Sequence, residues 1–309
     1  METKSISIVG TGLIGSSIAL GFKGKFNEIV GFDTNQRTLD YAVKSGIIDF
    51  NVSMDSIYRF SDIIIVSVPV DVALFLVPDI LEKSKDDAIV IDVSSTKAPI
   101  CNVLMNHPKR ANFVAAHPMA GAEVGGPQNG DANLFNGRNV ILCQTQLSSE
   151  YALEQAIVIF KTLGMTIEFM DPEVHDNLVG LVSHLPQMVS YGLARTIGAA
   201  TKNDQWCTIA ANGFNSSTRL AKSPANIWIP ILLQNKDHIS TYLQLFIQEM
   251  EHLVYLLDTD NTDGLNQFIH QAQIVREKFE NNITINTQDN GKEPITRSKI
   301  DKFVASGIE

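Results

Sequence analysis

Cysteine is scarce in this chain, three residues in 309, at Cys101, Cys143 and Cys207. None form a C-x-x-C pair or stand at metal-ligand spacing, so neither a disulfide scaffold nor a metal site is expected. Long apolar runs are missing too, and the most apolar stretch, 63–70, is far too short to span a bilayer. The first residues lead straight into a strand, with no basic segment, apolar run and cleavage site, so a cytoplasmic protein is expected. Positive charge is in deficit, 24 Lys and Arg against 34 Asp and Glu for a net charge of −10. That argues against nucleic acid or an anionic membrane as a partner. An anionic small molecule stays open, because it responds to local charge. Repeats and low-complexity tracts are absent, and the composition, 44% hydrophobic and 19% charged, is that of an ordinary globular protein.

Short β-branched runs alternate with helical periodicity in the first part of the chain. Strands are expected over 6–9, 29–32, 63–68, 89–93, 113–116, 140–143 and 166–169. Helices are expected over 14–23, 36–45, 72–83 and 150–163. Several strands are apolar at every position, as in a parallel sheet covered on both faces. The fold class is therefore α/β, a Rossmann-type doubly wound sheet over 1–170. From Asp171-Pro172, an N-cap and a first-turn proline, helical spacing replaces strands. An all-α second domain is expected over 171–280, with long segments such as 239–257 and 265–279. A polar, loosely ordered extension is expected over 281–309, with a short closing helix possible at 300–304.

Gly10-Thr11-Gly12-Leu13-Ile14-Gly15 follows the first strand directly, which is the context a dinucleotide fingerprint requires. Gly10 permits the tight turn, Gly12 lets backbone approach a pyrophosphate, and Gly15 allows close helix–strand packing. The unpaired N–H groups around Leu13 and Ile14 then face the phosphate charge. Asp33 ends the second strand at close to the expected interval of about 20 positions after the glycines. Its carboxylate accepts from the ribose hydroxyls and repels a 2′-phosphate, so NAD is favoured over NADP. Arg37 is the counter-signal, although in Asn35-Gln36-Arg37 it fits a solvated helix face. Val68 and Pro69, at the end of the third expected strand, should line the adenine or ribose side.

His117-Pro118-Met119-Ala120-Gly121 ends the run Phe113-Val114-Ala115-Ala116, which places one imidazole at the mouth of a buried strand. Such a histidine can accept a substrate's hydroxyl proton as hydride leaves the same carbon. Ser95, after the neighbouring strand, is close enough in this layout to orient the imidazole or the nicotinamide. On the helix that opens the second domain, Asp176, Gly180, Ser183, His184, Gln187 and Tyr191 share an arc of about 100° at 3.6 residues per turn. This polar stripe on an apolar helix is either a water-facing strip or a substrate wall. The lack of Lys, Arg and Glu in it favours the wall. Pro186 is expected to disturb the helical phase. On an ideal helix His175 and His184 point to opposite sides, and no metal pair is expected.

At these residues the chain resembles the prephenate dehydrogenase family and its arogenate-using relatives, over roughly 5–280. The matching stretches are the glycine turn through Ser17, Asp92-Val-Ser-Ser-Thr-Lys97, His117-Pro-Met-Ala-Gly121, His175-Asp176, Ser183-His-Leu-Pro186 and Thr218-Arg219. The resemblance implies that His117 binds the ring hydroxyl with support from Ser95. It also implies that Arg219 pairs with the substrate carboxylate and that Trp228 lies near the pocket. A Rossmann domain, a helical dimerisation domain and a homodimer are implied as well. The chain departs from the commonest family pattern at Gln187, Ala122 and Ser216, where His, Ser or Thr, and Asp are frequent.

The expected activity is NAD-dependent oxidative decarboxylation of prephenate to 4-hydroxyphenylpyruvate, in tyrosine biosynthesis. Arogenate dehydrogenase is the alternative, and a non-catalytic NAD-binding relative is the alternative class. Gln187 can donate to the keto oxygen or carboxylate of prephenate, or accept from the ammonium of arogenate. Glu123 is the one acid near the motif that could serve that ammonium, because an unpaired buried charge is costly. A hydroxyacid dehydrogenase of similar build would need a lysine on a second-domain helix. Neither Lys202 nor Lys222 has that context.

Overall fold

A computed structural model describes residues 4–26 and 28–288. Two compact units emerge, Met1–Lys236 and Asp237–Glu309. The first is built on one sheet with strands β1 (Ile6–Val9), β2 (Ile29–Phe32), β3 (Phe50–Asn51), β4 (Ile63–Val66), β5 (Ile89–Asp92), β6 (Phe113–Pro118), β7 (Asn139–Cys143) and β8 (Thr166–Met170). Helices α1 (Leu13–Phe22), α2 (Gln36–Lys44), α3 (Met54–Phe60), α4 (Val70–Lys83), α5 (Ala98–Leu104) and α6 (Glu150–Thr162) interleave with them. The strand order is β3-β2-β1-β4-β5-β6-β7-β8.

Successive residues of β4 serve opposite faces, as the two-residue period of a strand requires. Ile63 and Ile65 join one buried cluster, and Ile64 and Val66 join the other. That double burial is why the strand is apolar at every position. Three elements have no counterpart in the sequence reading: β3, α3 and α5. Each is seven residues or fewer, too short for a period to show.

The parallel expectation needs one correction. β1 to β6 pair in parallel, but β7 runs antiparallel to β6, with His117 opposite Ile141. The chain between them does not cross a face of the sheet. It folds over α1, where the Asp131 N–H donates to Ser17 Oγ at 3.0 Å, and the Met119 N–H meets the Asn139 carbonyl at 2.8 Å. β7 therefore starts where β6 ends and runs the other way.

From Asp171 onward the described residues contain no strand. Asp171 caps α7 (Pro172–Val179), accepting from the Glu173 and Val174 N–H groups at 2.8 and 3.3 Å. A π-helical turn, Gly180–His184, joins α7 to α8 (Leu185–Ala200). Pro186 follows it, with no N–H to offer the preceding turn and a ring that crowds it, and the wider turn accommodates both. Helices α9 (Asn212–Thr218) and α10 (Ala225–Gln234) complete the unit.

The second unit holds α11 (Lys236–Asp258) and α12 (Thr262–Gln288). Asn261 Oδ1 starts α12 by accepting the Gly264 N–H at 2.9 Å. Ile239 and Leu256 are buried, whereas Leu245, Ile247, Val254, Tyr255 and Leu257 of α11 are exposed. α12 continues to Gln288, past residue 281, where the polar extension was expected to begin. The rest of that extension, including 300–304, lies outside the described residues. No described helix is long and apolar enough to cross a membrane.

Candidate active site

Ligands of open α/β sheets bind beyond the carboxyl ends of the strands, where the strand order reverses. Here that point lies between β1 and β4, and the glycine turn occupies it. Gly10 has φ +92°, and a Cβ on it would come within 2.6 Å of the Ser67 carbonyl oxygen. A Cβ on Gly15 would collide with the Gly10 carbonyl, while one on Gly12 would meet no atom within 4 Å. Gly12 thus opens onto free space at the start of α1, where no side chain caps the N–H groups of Leu13 and Ile14. The half-buried Asp33 carboxylate lies across the turn, accepting from the Thr11 and Asn35 N–H groups at 2.9 and 2.8 Å. A free anion-binding helix start beside a fixed carboxylate fits the pyrophosphate and ribose of a dinucleotide. Arg37 lies exposed on α2, whose cap is Asn35. Val68 stands beside the turn, where a Cβ on Gly10 would come within 3.1 Å of its Cγ1, and Pro69 caps α4.

His117 lies at the carboxyl end of β6 and is half-buried. Its Nδ1 is 2.8 Å from Nε2 of His175 on α7, and Nδ1 of His175 is 2.7 Å from Asp176 Oδ1. Asp176 also accepts the Lys97 N–H at Oδ1, 2.8 Å away, and the Ala98 N–H at Oδ2, 2.9 Å away. It thereby supplies the cap that α5 lacks. Beneath His117, the fully buried Lys97 ammonium pairs with the fully buried Asp92 and donates to Ser94 Oγ at 3.2 Å and to the Ala116 carbonyl at 2.8 Å. That last bond fixes the backbone just before the histidine.

Burial, reinforced by the fields of His175, Lys97 and His184, holds the His117 pKa well below the ordinary imidazole value. Burial also lowers His175, against the pull of Asp176, and pushes His184 down to about 4. All three rings are therefore neutral near pH 7, and His117 is ready to act as a proton acceptor.

The polar stripe faces inward. Asp176, Gly180, His184 and Gln187 are buried, and Leu178, Leu181 and Val182 are exposed. The expectation that His175 and His184 lie on opposite sides fails, because the π turn breaks the 100° phase on which it rested. Both rings are 1% exposed, and Asn235 links them by donating to the Asp176 carbonyl at 2.7 Å and lying 3.0 Å from His184 Nδ1. Trp228 meets His184 edge to face, 5.7 Å between ring centres. Gln187 Nε2 donates to the Leu220 carbonyl at 2.7 Å, which ties α8 to the turn carrying Arg219. Arg219 itself forms an ion pair with Glu123, so the acid after the histidine motif points at the arginine. Ser183 and Ser95 are half-buried and make no side-chain hydrogen bond among the described residues. The contact that orients His117 comes from His175 instead.

Sequence reasoning placed Asp176 on the polar stripe but gave no site role to Asp92, Lys97, His175 or Asn235. A usable signal was present in Asp92 and Lys97, two charges bracketing the end of an otherwise apolar strand. Among the described residues no group of three or more His, Cys, Asp or Glu is placed to hold a metal ion.

Two family models match the chain. The nucleotide-binding domain of prephenate dehydrogenase matches residues 17–169, and its dimerization domain matches residues 171–271. The chain is similar to the prephenate dehydrogenase of Lactococcus lactis subsp. cremoris, 31% identical over 90% of this chain and 78% of that protein. Among solved structures it is similar to Aquifex aeolicus prephenate dehydrogenase in complex with hydroxyphenyl propionate and NAD+. That likeness has a TM-score of 0.83 at 30% identity and covers 90% of this chain and 99% of the other. Synechocystis arogenate dehydrogenase is similar too, at TM-score 0.71 and 25% identity, covering 89% of this chain and 99% of the other.

Proposed function

Because the chain belongs to the prephenate dehydrogenase family, we propose that it catalyses the oxidative decarboxylation of prephenate with NAD, giving 4-hydroxyphenylpyruvate. The observation that carries this reading is the His117 imidazole, held by His175 at a strand end on the sheet edge that bears the glycine turn and Asp33. The turn from Gly10 to Gly15 and the Asp33 carboxylate would hold NAD, which would supply the hydride acceptor. His117 takes up the ring-hydroxyl proton as hydride leaves the carbon bearing that hydroxyl, the ring carboxylate departs as carbon dioxide, and the proton returns to the oxygen of the aromatic product. Arg219, with five N–H donors on its guanidinium, holds a substrate carboxylate while keeping Glu123 as its partner. Ser95 and Ser183 offer unengaged hydroxyls to the ligands, and His184 and Trp228 wall the substrate side.

Prephenate is favoured over arogenate by what stands near Arg219. Ser216 replaces the acid frequent in relatives and donates to the Gly213 carbonyl at 3.2 Å. Glu123 is engaged with Arg219. Neither offers an unpaired carboxylate to an ammonium. Parallel measurement of NADH formation with prephenate and arogenate tests the reading, and a higher kcat/KM for arogenate would overturn it.

Two further outcomes are expected. Asp33→Ser removes the charge that repels a 2′-phosphate, so the wild-type preference for NAD over NADP should narrow sharply. Equal kcat/KM with both cofactors in the wild type would show that Arg37 overrides the carboxylate. Arg219→Gln removes a charge-assisted contact, which contributes about 1.5–3 kcal/mol. The KM for prephenate should therefore rise roughly 10- to 150-fold, and an unchanged KM would place the carboxylate elsewhere.

In this reading residues 1–170 form the cofactor domain and 171–280 a helical domain through which a cytoplasmic homodimer forms. The exposed Ile247, Val254 and Leu257 support association. A monomeric mass by light scattering at micromolar concentration would refute the dimer.

A further inference from the structure

We propose that Asp176, acting through His175, fixes the ring protons of His117 so that its Nε2 is a bare proton acceptor, while the same residue's backbone holds His184 as a donor. The inference rests on the catalytic reading of His117 above and adds the positioning residues behind it. It follows from counting donors and acceptors along a buried chain.

The Asp176 carboxylate can only accept, and it receives the Lys97 and Ala98 N–H groups and faces His175 Nδ1. His175 Nδ1 must then carry the proton in that contact. A neutral imidazole has one N–H, so His175 Nε2 presents a lone pair to His117 Nδ1, 2.8 Å away. His117 Nδ1 therefore carries its proton, and Nε2 is left unprotonated. The lowered pKa values of both rings, caused chiefly by burial, agree with neutral imidazoles.

A second branch leaves the same residue. The Asp176 carbonyl can only accept, so Asn235 turns its amide nitrogen toward it at 2.7 Å. That nitrogen also lies 3.0 Å from His184 Nδ1, which accepts its second N–H. His184 then carries its proton at Nε2. One residue thus sets two imidazoles to opposite tautomers, an acceptor and a donor. His175 and Asp176 are positioning residues, and the chemistry stays with His117.

The test is a two-bond 1H–15N correlation on the full chain labelled at histidine, near neutral pH, assigned with His117→Asn and His175→Gln. The expected spectrum shows His117 and His175 protonated at Nδ1 and His184 at Nε2. Protonation of His117 at Nε2 in the wild type would overturn the proposal. A kinetic arm uses His175→Leu, which removes the acceptor, and His175→Gln, whose carbonyl can replace it. Loss of a correctly oriented base is expected to lower kcat about 10²-fold in His175→Leu, with KM and NAD affinity little changed and with largely restored turnover in His175→Gln. Equal losses in both variants would reduce His175 to a packing role and sink the proposal. The spectrum reads ring protons whether or not prephenate is the substrate, so failure of the substrate reading and failure of this one are distinguishable.

Discussion

His117→Asn lowers kcat with prephenate by about 10²–10⁴-fold, the usual contribution of general acid–base assistance, and leaves NAD affinity near that of the wild type. Asparagine keeps a polar side chain at the end of β6 but cannot take up a proton. The glycine turn and Asp33 lie on other strand ends, so the cofactor site is not disturbed. The pH profile carries the same signature. The His117 pKa is depressed, so the neutral, proton-accepting ring persists as pH falls through the ordinary imidazole value of about 6.5. Activity is lost only at lower pH, as the pH drops through the depressed value. A variant within threefold of wild type, or an acid limb in kcat/KM with its midpoint at about 6.5 or above, would remove His117 from the role.

Lys97→Met should be the most destabilising single change near the site. The substitution keeps the stem and deletes the ammonium, which leaves the Asp92 carboxylate fully buried without its cation and the Ala116 carbonyl without its donor. Breaking a buried pair from one side costs about 3–5 kcal/mol, a large share of a typical total of about 5–15 kcal/mol. The urea midpoint should fall accordingly. The double variant Asp92→Leu with Lys97→Met removes the orphaned charge and should recover much of the loss, since apolar replacement of a whole buried pair is often near neutral. A single-variant loss under about 1 kcal/mol would show that water or backbone movement relieves Asp92. Activity in Lys97→Met should fall further than stability alone explains, because the Ala116 carbonyl bond holds the residue before His117.

What the sequence determined by itself is what short-range physics writes. Strands buried on both faces are apolar at every position, as in β4, because each face of the sheet must be dehydrated. A glycine is required where φ is positive and a neighbouring carbonyl leaves no room, as at Gly10. Asp171 and Pro172 start α7 because a cap needs only the next three residues. Even the acid at the end of β2 was legible, since the distance from Gly15 is set by one helix and one strand. The polar stripe on α7 and α8 was visible as well, and its lack of Lys, Arg and Glu pointed it inward, although the partners it meets there were not legible.

Only the tertiary structure decided how those pieces meet. His117 and His175 are 58 positions apart, and Asp176 reaches Lys97 across 79. No local period records such distances. The reversal of β7 depends on where the loop before it finds a surface to cover, which is α1 in this fold. The π turn at Gly180–His184 broke the ideal phase and brought His184 to the same buried network as His175. Lys97, which reads locally as a residue in a strand-to-helix turn, became a buried ion-pair partner because Asp92 lies beneath it. A charge or an imidazole is read from its type, but its protonation and its role are set by the partners that folding supplies, because hydrogen bonds and low-dielectric fields act across space and not along the chain.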